Sequence, residues 1–100
     1  METGWWLLCG AASGADAFFT TAHGSGRTKS RAGSRKEAKG NEVLARMEAH
    51  GMYVRTASMR GLAEEAGPAY KDIDAVVEAT ELAGLSIPVA RLVPIGTIKG

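Results

Sequence analysis

The heptapeptide Thr21-Ala22-His23-Gly24-Ser25-Gly26-Arg27 sets an imidazole against a glycine-rich loop and follows it with a guanidinium. A neutral imidazole, with an ordinary pKa of roughly 6.5, is a competent nucleophile or general base. Glycines let the backbone approach a ligand closely and point successive N–H groups at an anion, and Arg27 adds a two-point phosphate donor. These residues have the composition of a phosphate cradle beside a nucleophile. A plain glycine-rich turn has the same composition, and from the residues alone both readings stand.

The other reactive side chains carry less. His23, His50 and Cys9 are spaced in no zinc pattern, so the sequence offers no recognisable metal site. His50 falls at the C-terminal end of a predicted helix, where a cation is favourable against the dipole. Cys9, inside an apolar run, reads as buried filler. The tetrapeptide His23 to Gly26 is similar to the oxyanion loop of esterases of the α/β-hydrolase type, but that chemistry requires a downstream G-x-S-x-G elbow, which the sequence lacks. There is no G-x-x-x-x-G-K-[ST] phosphate loop either.

The elements that must position His23 are legible in outline. One hundred residues, 45% of them hydrophobic, are enough for one small domain, although a chain of this size buries only roughly two-thirds of its unfolded surface. The net charge of +1 points to no polyanionic partner in bulk. Its distribution is uneven: Arg27, Lys29, Arg31, Arg35, Lys36 and Lys39 face only Glu37 in their stretch, and Glu64 to Glu81 is acidic in compensation. A single cysteine makes no internal disulfide and gives no sign of an oxidising compartment.

The apolar run Trp5 to Cys9 imitates a signal peptide, but Glu2 is the only charge before Asp16 and no Lys or Arg occurs before Arg27. The run is also too short for a membrane span of ~20 residues. It predicts a buried strand with neighbours on both faces, and a buried strand so near Met1 suggests that further sequence precedes it. Ser34 with Glu37 has capping-box spacing and Asn41 offers a second cap, so residues 34 to 50 predict one broken or two short helices ending at Gly51. Met52 to Ser58 predicts a strand, and Gly67-Pro68 forbids a continuous helix. Asp72 caps a further helix with Ile73, Val76 and Val77 inward and Gly84 closing it. The tail from Ile87 predicts one or two strands interrupted by Pro94. The fold class is α+β.

At this point longer motifs carry a resemblance. Ala22 to Arg31, AHGSGRTKSR, is similar to the HGAGRxxSR signature of the RtcB family of RNA-splicing ligases. Val54 to Glu78, VRTASMRGLAEEAGPAYKDIDAVVE, and Val89 to Gly100, VARLVPIGTIKG, resemble that family's C-terminal region almost throughout. The likeness covers Thr20 to Gly100 strongly and Met1 to Phe19 loosely. It implies the C-terminal portion of an RtcB-like fold, with short helices packed on a mixed sheet. It also implies a cytoplasmic enzyme of tRNA splicing and RNA repair that joins RNA 3′-phosphate or 2′,3′-cyclic phosphate ends to 5′-hydroxyl ends, using GTP and manganese. Its partners would be tRNA halves or broken RNA ends and an archease-type activator, with no membrane.

By motif position, the resemblance makes His23 the guanylylated nucleophile, with Gly24, Ser25 and Gly26 on the loop against the nucleotide. Arg27 and Arg31 would hold phosphates, Tyr70 would pack on guanine and Lys99 would contact the nucleotide. The basic stretch to Lys39 then reads as an RNA-backbone surface whose binding weakens with salt; for Arg35, Lys36 and Lys39 a solvated helix face is the equal alternative. Ser25 stands where the family usually has Ala. At the start, only Met1 and Thr3 match a family segment of the G-S-M-G-T-x-S-Y kind, and tryptophans replace its Ser-Tyr pair.

Family members are several times longer, and the resemblance places their two-manganese ligands ahead of Met1, with no metal ligand in this chain. The expectation is therefore a chain inactive as a ligase by itself. Two other classes compete with it: a non-catalytic module binding RNA or guanine nucleotide, and a poorly folding remnant that aggregates through exposed Trp5 and Trp6.

Overall fold

A computed structural model describes residues 1–100. The elements run β1 (Trp5–Gly10), a 3₁₀ helix (Ala12–Ala17), α1 (Arg31–Glu37), α2 (Gly40–Ala49), β2 (Tyr53–Thr56), α3 (Met59–Glu64), a 3₁₀ turn (Gly67–Ala69), α4 (Ile73–Leu82), β3 (Ser86–Leu92) and β4 (Gly96–Lys99). The α+β class holds, and the strands form two separate pairs, β1 with β3 antiparallel and β2 with β4 parallel. No helix is long and apolar enough to cross a membrane. The chain divides into two compact units. One comprises Met1–Thr3, Arg27–Tyr70 and Pro94–Gly100; the other comprises Gly4–Gly26 and Lys71–Val93.

The first unit holds the core. Val43 and Met47 from α2, Leu62 from α3, Met52 ahead of β2 and Ala66 are buried together, with Met1, Ala38, Leu44 and Val54 packed around them. Side-chain oxygens start the short helices: the Ser30 hydroxyl accepts the Gly33 N–H at 3.0 Å for α1, and the Ser58 hydroxyl accepts the Gly61 N–H at 3.0 Å for α3. Each such cap is worth about 1 kcal/mol, which matters for helices of one or two turns. The caps expected at Ser34 and Asn41 are displaced. Ser34 is buried inside α1, and α2 starts after Lys39, whose backbone N–H is accepted by Glu42. Gly40 lets the start of α2 approach α3 more closely than any side chain would permit. The Glu2 carboxylate ties Met1–Thr3 down by accepting from Arg46 at 2.8 and 3.1 Å and from the backbone N–H of Gly67.

The second unit is a two-stranded ribbon with α4. The Asp72 carboxylate accepts the Asp74 N–H at 3.0 Å, Val77 is buried, and Gly84 ends the helix with φ of +71°, as the sequence predicts. Trp6 donates its indole N–H to Asp74 at 2.8 Å. The expectation of a buried first strand fails: β1 alternates between exposed and half-buried positions, Trp5 is 52% and Leu7 54% exposed, and Cys9 is an exposed free thiol. A continuous apolar run signals a strand covered on both faces. Here β1 has one strand neighbour, β3, and the face carrying Trp5, Leu7, Ile87 and Leu92 is left bare.

Gly40 gives a direct test. A Cβ at this position would stand 2.6 Å from the carbonyl carbon of Met59 and 2.7 Å from its Cβ. On propensity alone Gly40→Ala would stabilise a helix by up to about 1 kcal/mol. The overlap predicts the opposite sign, a loss of roughly 1–3 kcal/mol. The midpoint of urea unfolding reads the sign directly.

Candidate functional site

The His23 loop belongs to the second unit. It leaves the 3₁₀ helix through Phe18 and Phe19, which both hold left-handed φ values of 53° and 55°, and turns at His23 and Gly24. Its near end is tied to β3 by the Thr21 hydroxyl, 3.3 Å from that of the buried Ser86. Its far end is tied by the Gly26 carbonyl, which accepts the Lys71 N–H at 3.0 Å. Gly26 needs to be glycine, with φ of +74°. Gly24 has no such backbone demand and open space around it. His23 and Gly24 are exposed and Ser25 is half-buried. From Thr21 to Gly26 no backbone N–H donates to a backbone carbonyl. An exposed imidazole therefore adjoins successive free N–H donors, the arrangement that can receive an anion.

Arg27, Arg31, Tyr70 and Lys99 belong to the first unit. Arg27 is engaged internally on every side. Its Nε donates to the Lys29 carbonyl at 3.0 Å, Nη1 to the Tyr70 hydroxyl at 3.0 Å and Nη2 to the Glu64 carbonyl at 2.6 Å. Its charge lies 3.8 Å from the Glu65 carboxylate, and its guanidinium carbon is 4.8 Å from the Tyr70 ring centre. The Tyr70 hydroxyl donates in turn to Glu65. Partial burial, and then the hydrogen bond to Glu65, push the Tyr70 phenol above its ordinary value, with Arg27 opposing them. Arg31, at the start of α1, is exposed and reaches Glu64 only at 3.8 Å. Lys99, at the end of β4, is half-buried and makes no ion pair, while its carbonyl accepts the Ala57 N–H at 2.8 Å.

Sequence reasoning passed over Glu64 and Glu65, reading them only as compensating charge. Glu64 receives Arg35 at 2.5 Å, with Arg60 at 3.6 Å and Arg31 at 3.8 Å around the same carboxylate. The hydrogen bond from Arg35 is the largest cause holding the Glu64 carboxyl below its ordinary value. The i,i+4 spacings of Arg31 with Arg35 and of Arg60 with Glu64 were the available signal. No three His, Cys, Asp or Glu side chains converge to hold a metal ion. The residues of this chain do not fit manganese, and none is assigned to it. His50 closes α2, its Nδ1 2.7 Å from the Arg46 carbonyl oxygen, in the structural role its position implied.

Together these features define an α+β protein with an exposed histidine on a loop whose backbone N–H groups lack backbone acceptors, and an arginine-rich pair of helices, α1 and α3. The family described as "tRNA-splicing ligase RtcB" matches residues 1–100. The chain is 46% identical over its whole length to a "tRNA-splicing ligase RtcB" of Methanopyrus kandleri, of which it covers 10%. It is 46% identical to the "RNA-splicing ligase RtcB" of Mycobacterium tuberculosis, of which it covers 23%, and 37% identical to a relative from Aeropyrum pernix, of which it covers 21%. This chain belongs to the RtcB family, and it spans less than a quarter of the length of these relatives.

The two family arginines differ in what they hold, which generates a prediction. Arg27→Lys keeps the charge but loses the three-way donation, and should cost about 1–3 kcal/mol of stability. Arg31→Lys should change stability by no more than about 0.5 kcal/mol. Equal effects of the two substitutions on the unfolding midpoint would contradict the distinction.

Proposed function

We propose that this chain supplies the guanylyl-accepting histidine and part of the phosphate-binding surface of a GTP-dependent RNA ligase. The carrying observation is His23, exposed on a loop whose N–H groups from Thr21 to Gly26 have no backbone acceptor. Family membership and the names of the relatives support it.

In this reading the His23 imidazole attacks the α-phosphorus of GTP. A phosphorus–nitrogen bond forms, the bond to the bridging oxygen breaks, pyrophosphate leaves with the electron pair and the ring N–H proton passes to solvent. An oxygen of the RNA 3′-phosphate next takes the guanylyl group from His23. The RNA 5′-hydroxyl then displaces GMP, leaving a phosphodiester. Such transfers depend on positioning and on neutralising phosphate charge. The loop N–H groups supply the first neutralisation, and Gly24, open on its outer side, lets phosphate oxygens come close.

Arg31, whose guanidinium makes no hydrogen bond within 3.5 Å, is the family arginine assigned to phosphate, while Arg27 positions Tyr70. One face of the Tyr70 ring lies under Arg27, so a guanine contact falls to the other face. Lys99, without an ion-pair partner, is assigned to the nucleotide. In this reading the chain by itself binds RNA or nucleotide without joining ends. The exposed thiol of Cys9 suits the reducing cytoplasm in which we place it.

A chimera tests this reading: these 100 residues replace the matching segment of the Mycobacterium tuberculosis relative. It should join RNA bearing a 3′-phosphate to RNA bearing a 5′-hydroxyl, and His23→Ala should abolish joining. A folded chimera that joins nothing, or one that still joins with His23→Ala, contradicts the proposal.

A further inference from the structure

Glu64 gathers more positive charge than one carboxylate can neutralise. Arg35 is its close partner, at 2.5 Å with 31% of its side chain exposed. Arg31 and Arg60 stand farther off, at 3.8 and 3.6 Å, with 69% and 73% of their side chains exposed. Neither of these two makes a hydrogen bond to the carboxylate, so their N–H donors remain free for a ligand. Three guanidiniums within 4 Å of one carboxylate repel one another, and exposed ion pairs return only ~0–1 kcal/mol. Folding alone gives little reason to assemble them. A polyanion gives a sufficient one, because planar two-point donors match phosphate oxygens.

The arrangement is built into the helices. Arg31 and Arg35 lie one turn apart on α1, and Arg60 and Glu64 lie one turn apart on α3, so two i,i+4 pairs meet where the helices pack. The Ser30 and Ser58 caps fix the starts of both helices, and with them the level at which Arg31 and Arg60 emerge.

We propose that Arg60, gathered with Arg31 and Arg35 around Glu64, contacts a backbone phosphate of the bound RNA, making the α1–α3 face a second phosphate contact beside Arg31. This rests on the reading of the chain as part of an RNA ligase. The probe is a single-stranded RNA oligonucleotide with a 3′-phosphate, its affinity for the full chain measured by fluorescence anisotropy across a salt series. Arg60→Ala should weaken binding for all sequences alike and make the log–log salt slope shallower by about 0.7. Arg60→Lys should restore most of that slope. Arg91→Ala, which removes an exposed charge paired with Asp74 instead, should leave the slope unchanged.

Binding by the unsubstituted chain with the same slope in Arg60→Ala would overturn the Arg60 contact and leave the ligase reading standing. Equal loss of slope in Arg60→Ala and Arg91→Ala would also overturn it, by reducing the effect to net charge. No salt-dependent binding by the unsubstituted chain would overturn both.

Discussion

The first unit depends most on one guanidinium. Arg27 joins the start of its long segment, Arg27–Tyr70, to the end of that segment. It bridges Tyr70 in a single antiparallel step, with the Thr28 N–H donating to Ala69 at 2.9 Å. Its three side-chain donations then bind the Tyr70 hydroxyl, the end of α3 and the approach to α1. An aliphatic side chain could pack there but could not satisfy two carbonyls, a phenol and a carboxylate together, and groups left unpaired at a half-buried site are costly. Glu65 completes the set by accepting from Tyr70 and facing Arg27. The apolar core beneath is small, resting on Val43, Met47, Met52, Leu62 and Ala66, so polar ties of this kind carry an unusual share of the organisation.

Much of the fold was legible because it is governed by local rules. Asp72 as a cap, Gly84 as a left-handed stop, the break at Gly67-Pro68 and the two terminal strands around Pro94 each follow from the conformational preferences of one or two residues. The errors arose where tertiary contact decides. Ser34 has the spacing of a cap, but burial against the helices places it inside α1, and Ser30 takes its role. Trp5 to Cys9 has the composition of a covered strand, but composition cannot count the layers that cover it. The exposure of Cys9 follows from the same misreading.

The candidate site divides in the same way. His23 and its glycines stand out in sequence because nucleophile and loop are contiguous, and only Gly26 turns out to need a left-handed backbone. The arginines also stand out, as a run of charge, but the run hides two different occupations. Arg27 is held inward by four partners, whereas Arg31 and Arg60 are held loosely and face outward. What separates Arg27 from Arg31 is the pair Glu64 and Glu65, far from both along the chain. No reading of spacing within one helix shows that α1 and α3 present their charges to the same carboxylate.

The central claim is that the His23 imidazole is the nucleophile to which the guanylyl group becomes attached. The most direct measurement is mass spectrometry of peptides from the chimeric ligase after reaction with GTP and quenching at alkaline pH, where a phosphorus–nitrogen bond to imidazole survives. The account predicts a GMP adduct on the peptide that contains His23, and on no peptide containing His50 or Lys99. An adduct on either of those residues, or none in a chimera that joins RNA, would contradict it.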